Sequence, residues 1–336
     1  MAMSSIPKYG HRLLVLPNNR VEIDNFEIEY PSRQQVLVQT HSTLISAGTE
    51  LGTQEQERKQ PFIPGYSNVG TILALGDGID GYQVGDRVLS LGQHASHVNV
   101  PAVPQYLVKL PDKVSFEAGS FGVLGSVSIH GVRKAKLEFG EHLMVTGMGV
   151  VGQLALQLAK LTGCDQSIAV DLIDQRLEKA IMSGATSILN PTISDLNNHV
   201  EQLTEGRGLD VVIEASGYPD VLPKLFDMMR IGGRIILLGS IWHRKVELDL
   251  MSFHEKELIM IGAHQPKCPT TPTAVFPWTQ QYNRAQILKY ICQGTLNVNH
   301  LISHQLPYTE AETAYHLLRT QRDQSMGIIL KWRTEN

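Results

Sequence analysis

The chain reads as an α/β protein in which a β-rich first third precedes a doubly wound parallel sheet, and three observations carry that reading. Short apolar runs bounded by Gly, Pro and Asp fill the sequence to about Lys113. From about Phe121, buried-strand runs alternate with helical stretches over about 120 residues, the pattern of a parallel sheet with crossover helices. Three glycines within six residues stand at one strand-to-helix junction. The 336 residues are about twice a common single domain, so two domains are expected.

Taken in order, Gln35–Thr40 and Val69–Leu75 are the clearest early strands, and Asp77-Gly78 and Gly85-Asp86 supply turn chemistry because glycine tolerates positive φ. The second region has strand runs at 143–146, 167–170, 209–213 and 234–238, with helices expected over 151–161, 175–183, 193–205 and 221–230. A Pro-rich linker, Pro266–Pro277, follows Gly262. Two helical patterns (279–293 and 309–319) and a last strand (326–332) complete the chain. No repeat or low-complexity tract is present.

Composition excludes several classes. With 29 Lys and Arg against 33 Asp and Glu, the formal charge is −4, and no basic cluster offers a footprint for nucleic acid or an anionic membrane. Hydrophobic residues at 42% and charged residues at 18% suit a packed core rather than disorder. Cys164, Cys268 and Cys292 are odd in number and far apart, so neither a disulfide framework nor a four-thiolate zinc site is available. Nowhere do about 18 apolar residues run uninterrupted. A soluble, cytoplasmic, two-domain protein is expected.

The strongest local signal is Gly147-Met148-Gly149-Val150-Val151-Gly152, directly after the strand 143–146 and opening an amphipathic helix. In this context Gly147 permits the tight turn, Gly149 lets the backbone approach a pyrophosphate, and Gly152 lets the helix pack against the sheet. The free N–H groups of Val150 and Val151 at the helix start favour an anion. Asp171 ends the next strand, 19 residues past Gly152, where a carboxylate accepts the ribose hydroxyls and repels a 2′-phosphate. The pattern predicts a Rossmann dinucleotide site that prefers NAD to NADP, with Arg176 over the adenosine.

Further segments carry a resemblance. Pro61–Gly70 (PFIPGYSNVG) resembles a P-x-x-x-G-H-E-x-x-G element, and Val84–Val88 a V-G-D-R-V turn. With Gly184-Ala185-Thr186, Asp210–Gly217 and Gly232-Gly233-Arg234, these occur in the order found in the medium-chain dehydrogenase/reductase superfamily, the zinc alcohol dehydrogenase-like group. The resemblance implies a GroES-like β-rich substrate domain built from both chain ends, 1–120 and 265–336, around a Rossmann domain at 121–264. It also implies hydride transfer with nicotinamide in the cleft between them. Ser216, Leu238, Ser240 and Ala263 take the positions where the superfamily approaches the cofactor. An edge strand at Leu258–Ile261 suggests a homodimer, since an apolar edge must be paired or covered. The fragment Ile45–Glu50 further resembles the branch that holds bacteriochlorophyllide hydroxyethyl dehydrogenases and sugar-related relatives.

The departures are as informative. The superfamily's zinc ligands fall on Ser46 or Ala47, on Tyr66 in place of a His, and near Val123, while the four-Cys lobe is absent between Val88 and Val98. No thiolate or imidazole remains, so no metal is expected. Thr49 matches the Ser or Thr that bonds the substrate hydroxyl, although it could equally cap the next helix. Tyr66 either donates to a carbonyl oxygen or fills the former metal cavity. His94, expected to face the cleft, is the candidate general base. Glu50 matches a carboxylate that orients the lost His and could instead meet substrate hydroxyls or an ion-pair partner. His97 reads as a core histidine, and His264 either reaches substrate or ends a strand. The leading expectation is a zinc-independent, NAD-dependent dehydrogenase of a secondary alcohol, on a sugar, cyclitol or similar polar metabolite. The polar set Thr49, Glu50, Tyr66, Ser67, Asn68 and His94 favours a hydroxylated substrate. The alternatives are an NADPH-dependent quinone or enoyl reductase and a non-catalytic nucleotide-binding relative.

Overall fold

The protein is described by a computed structural model covering residues 6–54, 60–239 and 245–333. Two units divide the chain, one formed by Met1–Leu124 with Pro269–Asn336 and the other by Gly125–Cys268.

The first unit opens with an antiparallel pair, β1 (Tyr9–Val15) and β2 (Val21–Glu27). It continues through β3 (Gln35–Leu44), α1 (Ala47–Gln54), β4 (Asn68–Leu75), β5 (Arg87–Ser90), β6 (His97–Pro101), β7 (Leu107–Lys109) and α2 (Phe116–Gly119). Helix α3 (Gly122–Ala135) crosses the boundary between the units. The second unit carries β8 (Leu143–Thr146), α4 (Val150–Lys160), β9 (Ser167–Val170), α5 (Asp174–Met182), β10 (Ser187–Leu189) and α6 (Leu196–Leu203). It then adds β11 (Leu209–Glu214), α7 (Leu222–Met228), β12 (Met229–Leu237), α8 (Leu250–Glu255) and β13 (Ile259–Gly262). The chain returns to the first unit with α9 (Gln280–Cys292), β14 (Ile302–Pro307), α10 (Ala311–Thr320) and β15 (Gly327–Lys331).

In the first unit, seven strands form one sheet in the order β14-β15-β3-β4-β5-β7, with β6 also on β3. Strand β3 is long enough to pair with three partners, and register shifts at Leu37/Val38 and Thr40/Ser42 interrupt its ladder with β4. Both chain ends share one core: Leu13, Val15 and Ile45 pack with Tyr315, Leu318, Ile328 and Leu330. This packing seats α10 against α1. A second cluster of Val36, Val38, Ile72, Val88, Val100 and Leu107 fills the other part of the sheet.

The second unit is a parallel six-stranded sheet in the order β10-β9-β8-β11-β12-β13. Strands β8, β9 and β11 are buried along their whole length, as expected for a sheet covered on both faces. Strand order reverses beside β8, and in such sheets ligands sit beyond the carboxyl ends of the strands at that point.

Two helices are shorter than their sequence patterns suggest. Helix α6 begins at Leu196 because Asp195 caps it, accepting from Asn197 and Asn198 N–H. The stretch expected as one helix over 221–230 stops at Met228, where the Lys256 ammonium binds the carbonyls of Phe226, Asp227 and Met229. Met229 and Arg230 then open β12, and the Arg230 guanidinium is held by the buried Asp210. Among the described residues no helix is long and apolar enough to cross a membrane.

Candidate active site and cofactor crevice

In the second unit, β8 ends at Thr146 and the chain turns through Gly147, whose φ of 85° is open to glycine at little cost. A Cβ there would lie 2.5 Å from Ser216 N, so the loop also needs a bare Cα to clear the end of β11. Gly149 caps α4 with φ −72° and ψ −176°, and nothing stands within 4 Å of where its Cβ would be. Gly152 is the reverse case: a Cβ would meet the Gly147 carbonyl oxygen at 1.9 Å, so the first turn of α4 lies directly on the loop. The result is a helix N-terminus with an open cradle at Gly149, the arrangement that accepts a pyrophosphate. Val150 is buried and Val151 half-buried in that first turn.

Asp171 follows β9 and already has work in the protein. Its Oδ2 accepts Met148 N–H at 2.6 Å and its Oδ1 accepts Ile173 N–H at 3.0 Å, so the carboxylate ties the glycine loop to the start of α5. Lone pairs remain on both oxygens for ribose hydroxyls. Arg176 is half-buried in α5, and its backbone carbonyl accepts from Gln153 of α4 at 2.8 Å. Leu238 packs against Gly131 of α3, and Ala263 is buried with its N–H on the Leu237 carbonyl at 2.9 Å. Ser216 is exposed and donates its hydroxyl to Glu214. Ser240 lies outside the described residues.

Sequence reasoning assigned Glu214 no role, yet its carboxylate braces this crevice. It is fully buried and accepts Ser216 N–H at 2.8 Å, Gly217 N–H at 3.1 Å and the Thr146 hydroxyl at 3.3 Å. Burial pushes its pKa above the usual carboxylate value, and these donors oppose the push. The only signal in the sequence is its place at the end of an apolar strand.

The first unit gathers a cluster of hydroxyls around α1. Tyr66 donates to the Ser46 hydroxyl, and the Thr49 hydroxyl lies 3.1 Å from the phenol oxygen. Thr49 sits in the first turn of α1 rather than capping it. Tyr66 and Thr49 are half-buried, while Ser46 lies deeper, so the pair forms the accessible front of the cluster. Burial raises the Tyr66 pKa above 10; the bonds to Ser46 and Thr49 pull it down, and the nearby Glu50 charge raises it further. The phenol is therefore neutral at working pH and acts as a donor.

Behind this front lies a buried carboxylate hub. Glu50 is 4% exposed and accepts Ser46 N–H at 2.8 Å, the Tyr315 hydroxyl and the His94 imidazole Nε2 at 3.2 Å. The carboxylate can only accept, so the His94 proton is assigned to Nε2. His94 is clamped on other sides as well. Its N–H bonds the Pro64 carbonyl at 2.9 Å, and a Cβ on Gly65, whose φ is 95°, would come within 2.7 Å of its ring.

These contacts correct the expectation that His94 faces a cleft. Its side chain is 0% exposed, and its ring reaches Glu50 rather than open space. Ser67 and Asn68 are likewise buried: Ser67 bonds the Ser120 carbonyl, and Asn68 holds Thr40 at 2.8 Å and the Gln93 carbonyl at 3.1 Å. Of the polar set read from the sequence, Thr49 and Tyr66 are the members left open. His97 is 8% exposed with Nδ1 on the Ser96 hydroxyl, and His264 is an exposed cap of a short 3₁₀ turn.

The superfamily's zinc site can be tested on this donor set. Ser46 and Tyr66 present hydroxyls already bonded to each other, and Val123 is apolar and buried. Among the described residues no group of three His, Cys, Asp or Glu side chains is placed to hold a metal ion. These residues do not fit a tetrahedral zinc centre, which takes thiolate, imidazole or carboxylate ligands.

Two family models match the chain. Residues 32–128 match the alcohol dehydrogenase GroES-like domain, and residues 150–280 match a family described as zinc-binding dehydrogenase. Sorbitol dehydrogenase of Bacillus subtilis is 25% identical, with 89% of this chain and 91% of that protein aligned. D-guloside 3-dehydrogenase of Escherichia coli is 29% identical over 74% of this chain and 71% of that protein. Among solved structures, an Escherichia coli alcohol dehydrogenase complexed with NADH superposes with a TM-score of 0.83 at 19% identity, covering 97% of this chain and 100% of that one. Matched along both units, and carrying the 3-2-1-4-5-6 parallel sheet with its glycine turn, the chain belongs to the zinc alcohol dehydrogenase-like superfamily of medium-chain dehydrogenases and reductases.

Proposed function

We propose that the protein is a zinc-independent, NAD-dependent dehydrogenase that interconverts a secondary alcohol and its ketone on a sugar, cyclitol or related polyol. The observation that carries this reading is the hydroxyl pair Tyr66 and Thr49, with Ser46 behind it; Tyr66 and Ser46 stand at positions where the family resemblance implies metal ligands. The sorbitol and guloside dehydrogenases among its relatives support a polyol substrate.

In the alcohol direction R₂CHOH and NAD⁺ would give R₂C=O, NADH and a proton, a nicotinamide cofactor when bound supplying or accepting the hydride. The second unit's residues would hold it: Gly147, Gly149 and Gly152 with the α4 N-terminus for the pyrophosphate, and Asp171 for the ribose. The hydroxyls of the first unit would handle the oxygen. A neutral Tyr66, turning its one O–H away from Ser46, would donate to the carbonyl oxygen, supplying by hydrogen bonding the polarisation that a metal supplies elsewhere. Thr49 shares the oxygen and orients it. The proton released in the alcohol direction would leave along these hydroxyls and Ser46, and His94, buried against Glu50, is not the base that touches substrate.

Cofactor reduction by the purified protein with a panel of polyols and cyclitols, with NAD and NADP compared, tests this. Turnover of quinones or enones with NADPH alone would favour a reductase. Tight NADH binding with no turnover of any alcohol or ketone would favour a nucleotide-binding relative without chemistry.

A further inference from the structure

We propose that Tyr315, from the C-terminal segment, is a positioning residue for the Tyr66–Thr49 pair and acts on it through Glu50; its effect on turnover rests on the reading above. Tyr315 is fully buried, its ring in the apolar cluster of Leu13, Ile45, Leu318 and Ile328, and its hydroxyl donates to Glu50. Nothing about a tyrosine in an amphipathic helix 265 residues from Glu50 announces this contact.

The geometry makes the hydroxyl more than core filling. A carboxylate that is 4% exposed must have its lone pairs satisfied, and its donors include the Tyr315 hydroxyl, Ser46 N–H and His94 Nε2. Ser46 N–H belongs to the residue whose own hydroxyl accepts from Tyr66, and Glu50 and Thr49 are neighbours in the first turn of α1. A shift of the Glu50 carboxylate therefore moves the turn that carries both hydroxyl partners of Tyr66. Glu50 also raises the Tyr66 pKa through its charge, and burial and that same carboxylate keep the Tyr315 hydroxyl protonated as a donor. The route from Tyr315 to Tyr66 runs from hydroxyl to carboxylate, from carboxylate to the Ser46–Thr49 turn, and from turn to phenol.

Tyr315→Phe keeps the ring in the core and removes only the hydroxyl. The test labels the full chain with [ζ-¹³C]tyrosine and assigns Tyr66 and Tyr82 from the spectra of Tyr66→Phe and Tyr82→Phe. In Tyr315→Phe the Tyr66 resonance should move, while that of Tyr82, which bonds the Leu107 carbonyl in the same unit, should stay. Turnover should fall about tenfold, as expected for one hydrogen bond to a buried charge, with NADH affinity unchanged. In a Glu50→Gln background the same substitution should change neither the Tyr66 signal nor turnover by more than about twofold. A Tyr66 signal at its wild-type position in folded Tyr315→Phe, or equal losses in both backgrounds, overturns the proposal. The spectra decide it even if no alcohol is turned over. Full turnover in Tyr66→Phe would instead remove the reading of the reaction and leave the positioning result standing.

Discussion

Alanine at Gly149 and at Gly152 should part company, although both residues belong to one six-residue turn. At Gly149 the backbone (φ −72°, ψ −176°) is ordinary extended conformation, and the new methyl would meet nothing within 4 Å. Alanine is a poorer helix cap than glycine, a cost of up to about 1 kcal/mol. It also loses less chain entropy on folding, a gain of about 0.4–1 kcal/mol. The two offset, so the melting temperature should stay within about 2 °C of wild type. The methyl does, however, occupy the cradle where the pyrophosphate is expected. NADH affinity should fall about 10- to 100-fold, corresponding to about 1.4–2.8 kcal/mol. At Gly152 the methyl would sit 1.9 Å from the Gly147 carbonyl oxygen, where ordinary contact begins near 3.4 Å. The start of α4 must lift by roughly an ångström or more from a buried sheet, an overpacking cost of about 1–3 kcal/mol. Gly152→Ala should therefore lose stability and cofactor affinity together. Scanning fluorimetry and NADH fluorescence titration on the two variants suffice. Wild-type NADH affinity in Gly149→Ala would refute the placement of the pyrophosphate; wild-type stability in Gly152→Ala would refute the packing argument.

Other outcomes follow from the same geometry. Asp171→Ser removes the bonds to Met148 and Ile173 N–H along with the expected ribose contacts, so NADH should bind more weakly and the NAD preference should shrink by about tenfold or more; a wild-type enzyme that prefers NADPH sinks this reading. Elemental analysis should find far less than one zinc per chain, and Tyr66→Phe should cut turnover by about 10²–10⁴-fold without weakening NADH binding; stoichiometric zinc, or an active Tyr66→Phe enzyme, counts against the hydroxyl pair. Burial first, then nearby cations, lowers the pKa of both His97 and His130 to about 4, against 6.5 in the unfolded chain. Their contribution to stability is thus present above pH 6.5 and lost as pH falls through about 4, each adding a slope of up to about 1.4 kcal/mol per pH unit; urea midpoints that stay level between pH 7 and 5 would contradict it. Strand β13 is an edge of the six-stranded sheet with Ile259 48% exposed, so the chain should run as a dimer by light scattering, and a monomer at micromolar concentration would dismiss that pairing.

What the sequence determined by itself was what neighbouring residues enforce on one another. Gly147, Gly149 and Gly152 announce a tight turn into a helix because positive φ and close backbone approach are local demands that few residue types satisfy. The buried runs of β8, β9 and β11 are legible because a sheet covered on both faces requires continuous apolar strands. That Ser46 or Ala47, Tyr66 and Val123 carry neither thiolate nor imidazole is equally plain, since donor chemistry belongs to the residue itself. What only the tertiary structure decided were contacts between segments far apart in the chain. Whether His94 meets solvent or Glu50 depends on how the loop after β5 crosses α1, and no spacing in the sequence encodes that. Tyr315 becomes a partner of Glu50 because the last helix packs on the first, under an apolar cluster drawn from both chain ends. Asp171 and Glu214 hold backbone N–H groups of the cofactor loops because parallel strands bring their carboxyl ends together. The sheet order places them there, and order in a sheet is settled by packing over the whole domain, not by any local run of residues.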